Sequence, residues 1–173
     1  RWKNSFLVVK SCFLNGKETM CELRELNLRR AMWEDGEFLL ELRNDETVRA
    51  ASFQTELISR EQHFKWFQKK LTDKNTWIYI LQKGKQRIGQ VRIDLQGGYY
   101  QISYAICAKE RGKGYGKWML GEMEERIKRE AGMRGGKLTG EVKEENIGSQ
   151  KTFEDLGYIK KKSKYGYQYE KKL

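Results

Sequence analysis

The sequence has no proline, one histidine and three cysteines, and these shortages remove several classes of protein. Without proline, and without a Ser-rich tract, there is no linker composition that would divide the chain into domains. The longest apolar stretch near the start, Phe6 to Leu14, is interrupted by Lys10 and Ser11. It falls well short of the roughly 20 residues that a membrane helix needs, so no span and no membrane partner are expected. Cys12, Cys21 and Cys107 are odd in number and lack CxxC or Cys/His spacing, which speaks against a disulfide framework and against a metal site. A small-residue secretory cleavage site is also missing, and a reducing cytoplasm is the expected compartment.

Positive charge is abundant. The 173 residues carry 35 Lys and Arg against 24 Asp and Glu, a net charge of +11. An apolar content of 38%, with 12% aromatics, is enough to bury a core and sets the chain apart from a disordered polybasic tail. The surplus charge attracts polyanions, a class that includes nucleic acid, anionic lipid, nucleotide-sugars and coenzyme A alike. The chain begins at Arg1 rather than Met, and residues 1–20 match no recognisable element. They read as a linker or appendage, the remnant of a longer chain, with one domain over residues 21–173.

Hydrophobic spacing gives the order of elements. Leu26 and Leu28 alternate with polar neighbours in a short first strand within Glu22 to Arg30. Phe38, Leu39 and Leu42 then fall on one side of a helix over about 34–43, with acids in its first turn. Ser59-Arg-Glu-Gln62 is a capping-box sequence, and Phe64, Phe67 and Leu71 mark the apolar face of a helix over about 60–71. Trp77–Leu81, Arg87–Leu95 and Tyr99–Cys107 alternate as three antiparallel strands, with Gly97-Gly98 turning the second into the third. Met119, Leu120, Met123 and Ile127 lie at helical intervals in the longest helix. Leu138–Val142 reads as a strand, Asn146–Leu156 as a helix, and Tyr158–Lys160 with Tyr165–Tyr169 as a closing hairpin.

The stretch from Ile102 to Lys117 runs from a strand through Arg111-Gly-Lys-Gly-Tyr-Gly116 into a helix, a junction suited to phosphate. Glycines let backbone approach an anion, the first-turn N–H groups point at it, and Arg111, Lys113 and Lys117 add charge. The run is one residue short of a P-loop, and Trp118 stands where a magnesium-binding hydroxyl would be needed. It is GxGxG rather than GxGxxG, which disfavours a dinucleotide fold. Arg-x-x-Gly-x-Gly remains.

On that motif the sequence resembles the GNAT family of acetyl-CoA-dependent N-acetyltransferases. The second motif runs Val142-Lys-Glu-Glu-Asn146-Ile-Gly-Ser149, with Phe153 and Gly157-Tyr158 following, and is similar to the family's strand, Asn-x-x-[Ser/Ala], helix and Gly-[Phe/Tyr] ending. The resemblance covers about residues 22–173. It implies an α/β fold with a seven-stranded, mostly antiparallel mixed sheet and about four flanking helices, and acetyl-CoA or CoA as cofactor. By the same resemblance Arg111, Gly112, Lys113, Gly114, Tyr115, Gly116 and Lys117 would hold the pyrophosphate. Ala105, Ile106 and Cys107 would flank the pantetheine arm, and Asn146, Ser149 and Phe153 would lie along it. Direct attack by an amine suffices, so Cys107 reads as a strand residue rather than a nucleophile.

A narrower resemblance lies in Leu42-Arg43-Asn44-Asp-Glu-Thr-Val-Arg49, followed by Ile58-Ser59, His63 and Trp66. It is similar to the branch acetylating amino groups on nucleotide-linked sugars, as in pseudaminic acid and spore-coat or surface polysaccharide pathways. It implies Arg43, Asn44, His63, Trp66 and Asp94 as acceptor contacts, a nucleotide-linked amino sugar as the small-molecule partner, a homodimer as the candidate assembly, and fusion behind a nucleotide-sugar hydrolase. Two family positions are replaced: Gln101 stands where many members carry the carboxylate base, and Phe153 where many carry the tyrosine acid. Asp94, on the polar face of the third strand, and His63, with its near-neutral titration, are the substitute catalytic candidates. The alternatives are a ribosomal-protein-type N-terminal acetyltransferase and a basic nucleic-acid-binding module built on the Lys160–Tyr167 tail, the latter not favoured because those lysines alternate as a solvated strand face would.

Overall fold

The computed structural model describes Leu23, residues 25–130 and residues 136–172. The linker expected over residues 1–20, with Cys12, and Cys21 after it, lies outside them. Seven strands form one sheet: β1 Leu26–Arg30, β2 Thr76–Lys83, β3 Gln86–Gln96, β4 Tyr99–Ile106, β5 Lys137–Val142, β6 Ile159–Ser163 and β7 Gly166–Lys172. Their order across the sheet is β1-β2-β3-β4-β5-β7-β6, with every neighbouring pair antiparallel except β4 and β5. The expected meander and closing hairpin are both present.

Five helices accompany the sheet among the described residues: α1 Gly36–Asn44, α2 Glu46–Ala51, α3 Arg60–Thr72, α4 Tyr115–Glu130 and α5 Ile147–Asp155. The sequence implied about four. The additional one, α2, buries none of its residues and therefore leaves no apolar periodicity to read; it is started by the Asp45 side chain, which accepts from the Val48 N–H. At α3 the expected capping box forms, Ser59 Oγ accepting from the Gln62 N–H and Gln62 Oε1 from the Ser59 N–H.

The alternation of each strand sends its two sets of side chains into different layers. Val91, Ile93, Tyr100, Ile102, Leu138 and Tyr169 pack against Met119, Leu120, Met123 and Ile127 of α4 and Phe153 of α5 in the larger core. Those four α4 side chains are fully buried, each stabilising the layer by about 1.5–3 kcal/mol relative to exposure. On the opposite face Ile78 and Ile80 meet Leu39 of α1 and Phe67 of α3. That second layer covers only one side of the face, and the polar residues of β4, β5 and β7 carry on beyond it.

Candidate functional site

Pairing between β4 and β5 is short. Tyr99, Tyr100, Gln101 and Ile102 pair with Lys137, Leu138, Thr139 and Gly140, and there the ladder stops. From Ser103 onward β4 has a partner only on its β3 side, while Glu141 and Val142 pair only with β7. The strands part beyond Gly140, where a Cβ would stand 2.5 Å from Phe153 Cζ. The Phe153 ring lies there, edge-on to Tyr104 of β4 at 6.0 Å and stacked on Tyr169 of β7 at 5.1 Å. Tyr104 donates to Ser149 Oγ at 3.0 Å and so reaches from β4 to α5.

The glycine turn stands at the open end of this gap. After the short 3-10 turn Ala108–Glu110, Gly112 and Gly114 take φ of +77° and +78°, a region that side chains with a Cβ rarely enter. Helix α4 follows at once, and the Trp118 N–H, bonded to the Gly114 carbonyl at 3.1 Å, starts its ladder. The N–H groups of the turn preceding Trp118 have no acceptor within the helix, which is the general condition for an anion site at a helix start. Residues 111–114 are exposed. The cations of the motif are partly committed: Lys113 to Glu110 at 3.0 Å and Lys117 to Asp155 at 3.4 Å, in exposed pairs of the weak kind. Arg111 donates from Nε to the Ile106 carbonyl at 2.9 Å and from Nη1 to Thr47 Oγ1 at 2.7 Å.

Several expected roles change in this light. Tyr115 and Phe153 are buried in the larger core, so Tyr115 can serve the turn only through its backbone and Phe153 supports the gap from beneath. Asn146 is the N-cap of α5, its Oδ1 accepting from the Ser149 N–H at 3.1 Å. Ala105 and Ile106 end the unpaired part of β4, and Cys107 follows them with its thiol pushed up by burial and by the nearby Glu110 and Asp45 charges, as suits a protonated, non-nucleophilic cysteine.

The two proposed proton acceptors are occupied elsewhere. His63 is buried between α1 and α3, its Nε2 3.0 Å from the Gly36 carbonyl and its ring among Phe64, Trp66 and Phe67. Burial lowers its pKa, against the weaker pull of the Gly36 carbonyl and Glu37, and its ring belongs to the helix interface rather than to the gap. Asp94 accepts from Lys70 Nζ at 2.7 Å, Arg92 Nε at 2.7 Å and Thr76 Oγ1 at 2.8 Å. Burial alone would raise its pKa, but the Arg92 charge and the Lys70 and Thr76 bonds outweigh burial and lower it. A carboxylate so held anchors α3 to the sheet and is poorly poised to take a proton.

The acceptor-side residues split in the same way. Asn44 exchanges two hydrogen bonds with the Ile58 backbone, and Arg49 donates to the Asn44 and Thr55 carbonyls. These brace the segment between α2 and α3. Arg43 Nη2 donates to the Gln54 carbonyl at 2.9 Å, yet its Nη1 is buried with no hydrogen-bond partner. Burial, with the neighbouring positive charges of Arg49 and Arg92, lowers the Arg43 pKa. Arg92 itself lies over the Trp66 ring, 5.2 Å from its centroid, so the tryptophan holds an arginine in place.

Sequence reasoning missed two cavities of about 370 Å³ each. One is lined by Gln96, Tyr99, Gln101, Thr139, Gln168 and Glu170, the other by Phe53, Lys143, Glu145 and Tyr165. The alternation of β5 and β7 held the signal for the first, since Thr139 and Glu170 are register partners on the face away from α4. The second brings together segments far apart in sequence, and no local pattern announces it. Among the described residues no cluster of His, Cys, Asp or Glu could hold a metal, and no helix is long and apolar enough to cross a membrane.

Comparison with known proteins agrees with this geometry. Residues 25–159 match the family described as acetyltransferase (GNAT) domain. A domain from Methanocaldococcus jannaschii is similar at 24% identity and a TM-score of 0.74, over 86% of this chain and 98% of that one. Spermidine N-acetyltransferase from Vibrio cholerae, solved with CoA and spermine, is similar at 16% identity and a TM-score of 0.77, over 86% of this chain and 96% of that one. Ribosomal-protein-alanine N-acetyltransferase from Brucella melitensis is similar at 20% identity and a TM-score of 0.70, over 85% of this chain and 99% of that one. No curated protein matches.

Proposed function

The chain belongs to the GNAT acetyltransferase family, and from that premise we propose that it moves an acetyl group from acetyl-CoA to the amine of a nucleotide-linked sugar. The residues present fit the donor. Gly112 and Gly114, with the first-turn N–H groups of α4, the exposed Lys113 and the half-buried Lys117, suit a diphosphate. The unpaired edge of β4 from Ser103 to Ile106 offers backbone groups to an amide-bearing arm. Bound there, acetyl-CoA supplies an acyl carbon already activated as a thioester.

One observation carries the choice of acceptor. Arg43 keeps a buried donor without a partner, and Arg49 and Arg92 are close enough to destabilise its charge. A buried unsatisfied donor costs about 1–3 kcal/mol, and more for a charged group. An anion on the acceptor relieves both the missing bond and the repulsion among the arginines. A polyamine, such as the spermine bound in the Vibrio cholerae structure, would instead bring positive charge to this side of the sheet. The nucleotide diphosphate of an activated sugar has the required sign, and the Arg43–Arg49 and Ile58–Trp66 segments resemble the sugar-amine branch.

The test is mass spectrometry of reactions containing acetyl-CoA and, separately, a UDP-linked amino sugar, spermidine and a peptide with a free N-terminus. The UDP-linked sugar is expected to gain one acetyl group. Arg43→Ala is expected to raise the KM for that sugar roughly tenfold with the acetyl-CoA KM unchanged. Preference for spermidine or the peptide, or an Arg43→Ala variant with an unaltered acceptor KM, overturns the assignment.

A further inference from the structure

We propose that Glu141 is the catalytic residue that takes the proton from the acceptor amine. The position usually filled by a carboxylate on β4 is Gln101 here, whose Oε1 accepts from the Thr139 hydroxyl at 3.1 Å. A replacement has to stand on the same face, close to where the thioester arm would end, and be free to accept.

Glu141 meets those conditions by register. Gly140 is the last β5 residue paired with β4, so Glu141 is the first one beyond the fork. Leu138 and Val142 point into the core against α4. Alternation therefore places Glu141 on the opposite face with Thr139, and Gln101 shares that face through its contact with Thr139. Glu141 is exposed, and no ion pair or side-chain hydrogen bond ties it to any described residue.

The other charges that the strands present on this face are already matched, and Arg43 of α1 is the one cation on this side with an unpartnered donor among the described residues. Across the ladder Glu141 faces Gln168 of β7, and beyond it lies Lys161 of β6. Glu170 of β7 is bound to Lys137 at 2.8 Å and to Lys161 at 2.5 Å. Asp94 and Arg92 of β3 pair with one another, and Asp94 also with Lys70 of α3. Lys143, just past the end of β5, donates to the Ala50 carbonyl at 2.7 Å. Across the gap β4 presents Ser103 and Ala105, which carry no charge.

The proton balance closes with groups at hand. A Glu141 carboxylate oxygen removes one proton from the incoming ammonium. The freed nitrogen lone pair forms the new C–N bond to the acetyl carbon, and the C–S bond breaks. The second nitrogen proton passes to the departing thiolate, and Glu141 returns its own to water. The net change is ammonium plus acetyl-CoA to amide, CoA thiol and one proton.

The experiment compares wild type, Glu141→Gln and Glu141→Asp from pH 6.5 to 9.5. The readouts are kcat/KM on the amine that wild type acetylates and, without any acceptor, the slow hydrolysis of acetyl-CoA by water. Glu141→Gln is expected to lose roughly a hundredfold at pH 7, with unchanged acetyl-CoA affinity and thermal unfolding. The loss should shrink toward pH 9.5, where solvent has already deprotonated the amine, and Glu141→Asp should recover part of the rate. A loss that stays constant across pH, or no loss in either reaction, overturns the proposal. Because hydrolysis needs no acceptor, a wrong acceptor class would leave that half of the result readable.

Discussion

Arg111 Nη1 donates to Thr47 Oγ1 at 2.7 Å and ties the glycine turn to the first turn of α2. The same guanidinium stands 3.8 Å from Asp45, the residue that caps α2, and its Nε holds the last carbonyl of β4. One side chain thus joins the turn proposed to hold the donor with the helix beside the region proposed to hold the acceptor.

Arg111→Ala should therefore raise two Michaelis constants at once. Charge-assisted bonds contribute about 1.5–3 kcal/mol, and solvent screening at this half-exposed side chain reduces that to about 1 kcal/mol. Each KM is expected to rise roughly fivefold, read by steady-state kinetics with each substrate varied in turn. A change confined to acetyl-CoA would mean that the link to α2 is incidental.

Gly114→Val tests the placement of the diphosphate. At φ +78° a β-branched residue is strained, by about 1–3 kcal/mol, and its methyls stand where an anion has to approach backbone. Calorimetric titration should detect no acetyl-CoA binding, while circular dichroism keeps the wild-type spectrum. Retained affinity would move the anion site elsewhere.

Asp94→Asn should cost about 3 kcal/mol at pH 7, since it leaves Lys70 and Arg92 without their carboxylate. The folded pKa of Asp94 is lowered, so its contribution is complete above the ordinary aspartate value and is lost as pH falls through the folded one. In urea unfolding the gap between wild type and variant should close below about pH 4. A gap that is independent of pH would show that the pair adds nothing specific.

For His63 the pKa is likewise lowered, through burial, and the ring stays neutral in the folded protein. Its contribution is present above an ordinary histidine value of about 6.5 and falls as pH drops through the folded value. His63→Gln keeps a donor for the Gly36 carbonyl but cannot titrate, so its stability should be flatter than wild type below about pH 6.5. The pH dependence of kcat/KM should not move. A shifted kinetic profile would return His63 to the list of proton acceptors.

Much of this architecture is local and could be read from the chain. Alternation in Val91, Ile93 and Ile102, helical spacing in Met119 to Ile127, and the Ser59 capping box all carry their own signal. Helix α2 was missed because no face of it is buried. Asp94 could be placed on a polar strand face, but nothing near it in sequence tells that Lys70 arrives from α3. Asn44 looked like an acceptor contact because the Ile58 backbone groups it satisfies have no pattern of their own. Gly140 was read only as part of a strand, whereas its missing side chain makes room for Phe153.

The four-rung seam between β4 and β5 also governs how the molecule comes apart. It divides the sheet into a wing of β1 to β4 and a wing of β5 to β7, joined along their shared border by those rungs and by the core they share with α4 and α5. An arm lying in the fork would act as a short surrogate strand and stitch the wings together. Cofactor occupancy and resistance to unzipping are thereby coupled, and amide exchange in β5 should slow on saturation far more than in β2.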